Sequence, residues 1–402
     1  MRAYERLLRY VTVDTQSNEK AKTTPSTGKQ FVLAQFLGRE LTALGMSRVH
    51  TDEHAYTYGF LPPSPGREAE PVIGLIAHID TAPDFSGAKV QPILYLHYDG
   101  RDLPLGESGR TLSARDFPDL RRCAGKTLIT TDGTTLLGAD DKAGAAEIMT
   151  ACEQLLRGER SHCGVAVCFT PDEEIGHGAS LLDLTRFGAD FAYTVDGGPI
   201  EEINYETFNA AQAVFRIRGV SVHPGSAKGI MVNAGHIATR INALLPQDEI
   251  PAATEGYEGY YHLVGIKGDV NAARLQYILR DHDAQRFEAR CEKLRELERA
   301  MNAEYGPGTV RLTLREQYRN MAEVLRDHME IVARAEEAIR RAGHTPVTRP
   351  VRGGTDGARL SFCGLPCPNL GTGGAAFHGP FEHITAEDMD AAVEILLNIV
   401  CG

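Results

Sequence analysis

The chain is 402 residues long, 42% hydrophobic and 24% charged, with a formal net charge of −12. That length exceeds one ordinary hydrophobic core, so two domains are expected. The acidity argues against a nucleic-acid partner, no apolar run reaches membrane-span length, and eight scattered cysteines without a CxxC pair read as reduced thiols of a cytoplasmic protein.

Tyr4, Leu7, Leu8 and Val11 recur at helical spacing, while Arg2, Glu5 and Arg9 break any signal-peptide core. Phe31, Ala34, Leu37, Leu41 and Leu44 form a second helical stripe, stopped by Gly45. Residues 62–70 read as a surface turn. The run Pro71 to Ala77 is continuously apolar, as expected of a strand buried on both faces, and it ends in His78-Ile79-Asp80. Asp141 to Leu156 reads as a helix, with Ile148, Cys152 and Leu155 on its buried side and Gly158 as its stop. Gly164 to Thr170 is another buried strand, which delivers Glu173 and Glu174 just past its end. This alternation of helix and strand is the pattern of an α/β layer.

After about Asn209 the period changes. Ala213 to Arg218 and Val310 to Leu314 alternate apolar and polar residues, the mark of strands with one wet face. Between them lie helices near Asn233 to Leu245 and Ala284 to Met301, the latter with Phe287, Cys291, Leu294, Leu297 and Met301 as its stripe. Four strands with two helices on one face make a ferredoxin-like α+β lid. The expected fold is therefore α/β, a mixed-sheet catalytic domain of residues 1–208 and 321–402 interrupted by a lid or dimerisation-type domain of 209–320. Hinges fall near 207–210 and 319–322.

A spaced series of metal-type side chains runs along the first domain: His78 and Asp80, then Asp140-Asp141, Glu173-Glu174, Asp196 and His378. Nearly all follow strand-like runs, and the ends of parallel strands converge on one edge of a sheet. Converging carboxylates are tolerable together only when cations neutralise them, so the series asks for divalent metal, and for two ions. Histidine nitrogens with carboxylate oxygens suit zinc. In a two-metal site one carboxylate bridges, and Asp140 is the natural bridge. Asp80, two residues beyond His78, is placed to orient the imidazole. Neighbouring Glu173 and Glu174 point apart, so one should bind metal while the other serves as general base.

The chain resembles the peptidase T family, tripeptide aminopeptidases of the dizinc aminoacylase and carboxypeptidase metallopeptidase superfamily. The resemblance starts at Tyr10-Val11-Thr12-Val13-Asp14-Thr15 and runs to the C-terminus. It is strongest in Leu128 to Gly133 with Thr135 to Gly144, and in Phe169 to Glu174; His223-Pro224-Gly225 with Ala227-Lys228-Gly229, Thr254 to Gly259 and Arg352-Gly353-Gly354-Thr355-Asp356-Gly357 also match. It implies two zinc ions per subunit, replaceable by cobalt or manganese, one held by His78, Asp140 and Asp196 and the other by Asp140, Glu174 and His378. It makes Glu173 the general base, Asp80 the orienting partner of His78, and the Asp140–Asp141 peptide bond cis. It assigns His223 to the carbonyl oxygen of the scissile bond and Arg280 to the C-terminal carboxylate of the peptide. Arg352 is a similar carboxylate candidate, and Asn320 is either a substrate contact or a cap. Ala375-Ala376-Phe377 departs from the family pattern, and His383 is read as a bystander. The implied partners are a short peptide and, through the lid, a second copy of the chain. A dipeptidase, an N-acyl amino-acid deacylase and a silent metal-binding scaffold are the alternatives.

Overall fold

A computed structural model of the protein describes residues 1–158 and 160–402, and they pack as two compact units. One comprises Met1–Tyr205, Val324–Arg349 and Thr355–Gly402; the other comprises Glu206–Glu323 and Pro350–Gly354. The short returning segment differs from the 209–320 expectation. It joins the second unit because the Arg352 guanidinium donates to the carbonyls of Thr254, Gly256 and Glu258 there.

The first unit is built on an eight-stranded mixed sheet. In spatial order its strands are Ser47–Thr51, Thr57–Leu61, Val165–Thr170, Ile73–His78, Phe191–Gly197, Asn369–Gly371, Glu202–Asn204 and Val347–Thr348. The central four run parallel. Every residue of Ile73–His78 and of Val165–Thr170 is buried, which is why both read as unbroken apolar runs. Leu7, Leu33, Leu37, Ile148, Ile339 and Leu396 belong to one continuous core with Leu75 and Val167. Tyr56, Phe187, Leu360 and Cys367 pack with Ile76 and Cys168 in a second cluster. Each such side chain removed from water contributes about 1.5–3 kcal/mol. The helix Gln30–Leu44 ends at Gly45, whose φ of 98° is the left-handed cap conformation.

The helix Ala139–Leu156 packs on the Phe191–Gly197 strand at Gly144, where an added Cβ would sit 1.9 Å from the Val195 carbonyl oxygen. Only glycine permits that approach. Asp140 and Asp141 open this helix with non-helical backbone angles and a cis peptide bond between them.

The second unit is a four-stranded antiparallel sheet in the order Tyr260–Gly268, Ala272–Asp281, Asn209–Arg218, Val310–Tyr318. The helices Ala234–Ala243 and Ala284–Tyr305 cover one face, burying Phe215, Ile217, Ile241, Leu275, Tyr277 and Leu294. Asn233 and Asp283 cap them by accepting backbone N–H groups of His236 and Arg286. All eight cysteines are free. Among the described residues no helix is long and apolar enough to cross a membrane.

Candidate metal centre

The parallel strands of the first unit end side by side. His78 closes its strand, Asp196 lies near the end of the next, and the strand Val165–Thr170 leads into the turn Glu173–Ile175. His378 arrives on the chain that follows Asn369–Gly371, with a positive φ of 63°. Asp140 comes differently from the strand-end expectation. The strand before it, Leu128–Thr131, belongs to a separate three-stranded sheet, and Asp140 reaches the site on the first turn of Ala139–Leu156.

His78 Nε2 lies 3.0 Å from Asp140 Oδ1 and 3.4 Å from Asp196 Oδ1. His378 Nε2 lies 3.2 Å from Asp140 Oδ2 and 3.0 Å from Glu174 Oε2. The two oxygens of one carboxylate thus face two different imidazoles, each with a further carboxylate beside it. Ligand atoms of His78, Asp140 and Glu174 lie within 4.8 Å of one another, as do those of His78, Asp141 and Asp196. Asp141 is the poorer donor of the adjacent pair, because its two oxygens already accept the backbone N–H groups of His78 and Gly144. Glu174 Oε1 is buried without a hydrogen-bond partner, as expected of an oxygen reserved for a cation. The donor set fits divalent metal of the zinc type.

The electrostatics agree. Burial opposes protonation of His78, yet Asp196, Asp140 and Asp80 hold it well above the ordinary histidine value. Hydrogen bonds to Asp140 and Glu174 carry His378 up to about 11. Burial pushes Glu174 up to about 7 and Asp196 to about 6. Burial, with the charges of Asp196 and Asp356, raises Glu173 well above the usual carboxylate range. Buried carboxylates this close raise one another's affinity for positive charge.

Asp80 does more than orient an imidazole. Its side chain lies 3.3 Å from His78 Nδ1, but it also accepts the backbone N–H groups of Glu173 and Glu174 at 3.0 and 3.3 Å. It therefore fixes the turn that carries both glutamates. Asp172, with φ of 58°, anchors the same turn by accepting from Ser26 and Gln30. Sequence reasoning missed Glu382 altogether. This residue is 1% exposed, and its carboxylate accepts the backbone N–H groups of Leu137, Gly138 and Asp140 at 2.8, 2.8 and 2.9 Å. It thereby ties the loop of His378 to the loop of Asp140. In the sequence Asp356 stands out only as part of the Arg352 to Gly357 motif. Buried, it accepts from Thr170 Oγ1 at 3.1 Å, and burial raises it to about 7.

The remaining site residues lie in the second unit. His223 Nδ1 accepts the Gly225 N–H at 3.1 Å, which places the ring proton on Nε2 of an exposed imidazole. Arg280 lies over the Tyr318 ring at 5.3 Å and donates one N–H to the Leu279 carbonyl. Arg352 and Asn320 are engaged in hydrogen bonds within this unit. Arg352 gives both terminal nitrogens to the Thr254–Glu258 turn and lies over Phe208 and Tyr260. Asn320 is 7% exposed; its Oδ1 accepts from Thr207 and Ala322, and its Nδ2 donates to the His282 carbonyl. With Asn320 N–H on Asn209 Oδ1, these bonds pin the incoming and outgoing chains together.

A mixed α/β sheet that gathers two imidazoles and several carboxylates at the ends of its parallel strands is the framework of a metal-dependent hydrolase. Residues 132–401 match the model of peptidase family M20/M25/M40. Peptidase T of Clostridium perfringens is 50% identical over 400 residues, 99% of this chain and 98% of that protein. Peptidase T of Desulfitobacterium hafniense is 52% identical over 398 residues, 98% and 97% of the two chains. Among solved structures, an aminopeptidase from Bacillus cereus superposes with a TM-score of 0.79 at 24% identity, covering 100% of this chain and 97% of the other. A tripeptidase from Staphylococcus aureus gives 0.78 at 22% identity over 99% and 97%. The chain belongs to peptidase family M20/M25/M40 and, within it, to the peptidase T group.

Proposed function

We propose that this chain is a cytoplasmic metallo-aminopeptidase that releases the N-terminal residue of tripeptides. The observation that carries the reading is the placing of Asp140, with one oxygen toward His78 and the other toward His378. His78, Asp140 and Asp196 would hold one zinc ion, and Asp140, Glu174 and His378 a second. Bound zinc would supply Lewis acidity and lower the pKa of water toward ~7.

The chain's own groups do the rest. Glu173, already raised by burial, accepts a proton from the attacking water and returns it to the leaving amine. Asp80 and Asp172 keep its turn in register. The second unit, residues 209–320 in the proposed division, acts as the lid. His223 offers Nε2–H to the developing oxyanion, the tautomer its bond to Gly225 selects. Arg280, with most of its donors free of protein partners among the described residues, pairs with the substrate's C-terminal carboxylate. The same unit is the proposed surface for a homodimer, which mass measurement in solution would test.

The test is a panel of di-, tri- and tetrapeptides, free and C-terminally amidated, with and without chelator. Chelator-sensitive release of the first residue, greatest for free tripeptides, is the expected result. Activity without that length preference would keep the metallopeptidase and discard the carboxylate gauge. Hydrolysis confined to dipeptides or acylated amino acids would replace the tripeptidase reading.

A further inference from the structure

The sheet of the second unit has a face that its helices leave open, and a row of cations crosses it. In the ladder Lys267 stands opposite Arg274, Arg274 opposite Arg216, and Arg216 opposite Arg311, one residue from each of the four strands. Strand alternation fixes the side on which they lie. Phe215, Ile217, Ala273, Leu275, Val310 and Leu312 pack with the helix-covered core, so their neighbours project the other way. All four are exposed, and none has an ion-pair partner among the described residues; Arg274 donates only to Gln276. Arg218 continues the positive charge along the Asn209–Arg218 strand. Like charges directly opposite in a ladder destabilise a sheet. A chain of net charge −12 has no general need to gather cations this way.

We propose that this row is an exosite for a carboxylate-rich peptide segment, distinct from the Arg280 position. Guanidinium forks pair bidentately with carboxylates, and four cations at ladder spacing extend over roughly 14 Å. No aromatic ring flanks the row in the ladder, so the stacking that single-stranded nucleic acid requires is missing. Arg280 lies six residues along the strand from Arg274, roughly 20 Å, whereas an extended tripeptide spans about 10 Å. A tripeptide held by Arg280 does not reach the row.

The experiment is fluorescence anisotropy with a fluorescein-labelled, C-terminally amidated hexaglutamate, blocked at both ends against hydrolysis. Binding is expected at about 0.05 M salt and should fade toward about 0.5 M. It should weaken at least roughly tenfold in the double variant Arg216→Gln, Arg274→Gln, while tripeptide hydrolysis in the same samples is unchanged. The double variant should also melt higher than the parent at low salt, since it relieves the repulsion. Absence of binding at low salt, or equal binding by the variant, overturns the exosite. So does displacement by tripolyphosphate or oligothymidylate at lower concentration than by unlabelled hexaglutamate. If the double variant proves unfolded, the single variant Arg311→Gln decides by the same criteria. Loss of hydrolysis in the parent would instead strike the proposed function and leave the exosite standing.

Discussion

Glu382 performs for the Asp140 loop the service that an N-cap residue gives an ordinary helix. The helix Ala139–Leu156 has Gly138 before it and no side-chain cap, so its leading N–H groups are met by a carboxylate from far along the chain. Replacing Glu382 by Gln turns one acceptor into a donor that faces N–H groups. Metal affinity, measured by chelator competition, should fall about 10–100-fold. Glu173→Ala should behave differently, keeping its metal while kcat falls about 10²–10⁴-fold. Metal content and turnover measured on the same samples separate the two roles. His78, Glu173, Glu174 and Asp196 were legible in the sequence because each follows or ends an apolar run. Glu382 was not, because its partners are backbone N–H groups more than 240 positions away, which no side-chain pattern encodes.

At the scale of elements, the meeting of helix and strand at Gly144 governs the spacing between Asp140 and Asp196. Gly144→Ala drives a methyl group into the Val195 carbonyl, so the helix must shift or tilt. A stability loss of at least about 1–3 kcal/mol is expected, read as a lowered denaturant midpoint, together with weakened metal binding. Wild-type stability in that variant would show that the helix can move without cost. The long buried strands and the amphipathic helices were readable from their periods. Glu202–Asn204, Asn369–Gly371 and Val347–Thr348 were not, since two or three residues carry no period at all. The passage of Pro350–Gly354 into the second unit was hidden for a similar reason, since it depends on hydrogen bonds from one arginine to carbonyls.

Taken across the whole molecule, particular buried groups in the two units couple stability to pH in opposite senses. In the first, burial raises Glu174 and Asp356 to about 7 and Asp196 to about 6, so the folded state binds these protons more tightly than the unfolded chain. Without metal, the stability they contribute is present at low pH and drains away as pH rises from about 4 through about 7. In the second unit, burial lowers His282 to about 4. There stability is complete above the ordinary histidine value, about 6.5, and is lost as pH falls through about 4. Chelated protein should therefore melt lower at pH 8 than at pH 5.5, and added zinc should restore more stability at the higher pH, where its ligands are deprotonated. Calorimetry across this range checks both slopes.

The order in which the ribosome delivers these parts has a consequence of its own. Residues 206–323, nearly all of the second unit, leave the exit tunnel as one continuous stretch and can fold during synthesis. The sheet of the first unit lacks its Asn369–Gly371 strand until nearly the whole chain has been made, and His378 and Glu382 follow later still. A nascent or prematurely truncated chain therefore has carboxylates but no second imidazole and no clamp on the Asp140 loop. On the proposed ligand set, a chain stopped before His378 lacks the second imidazole, and loss of peptide hydrolysis is the expected result.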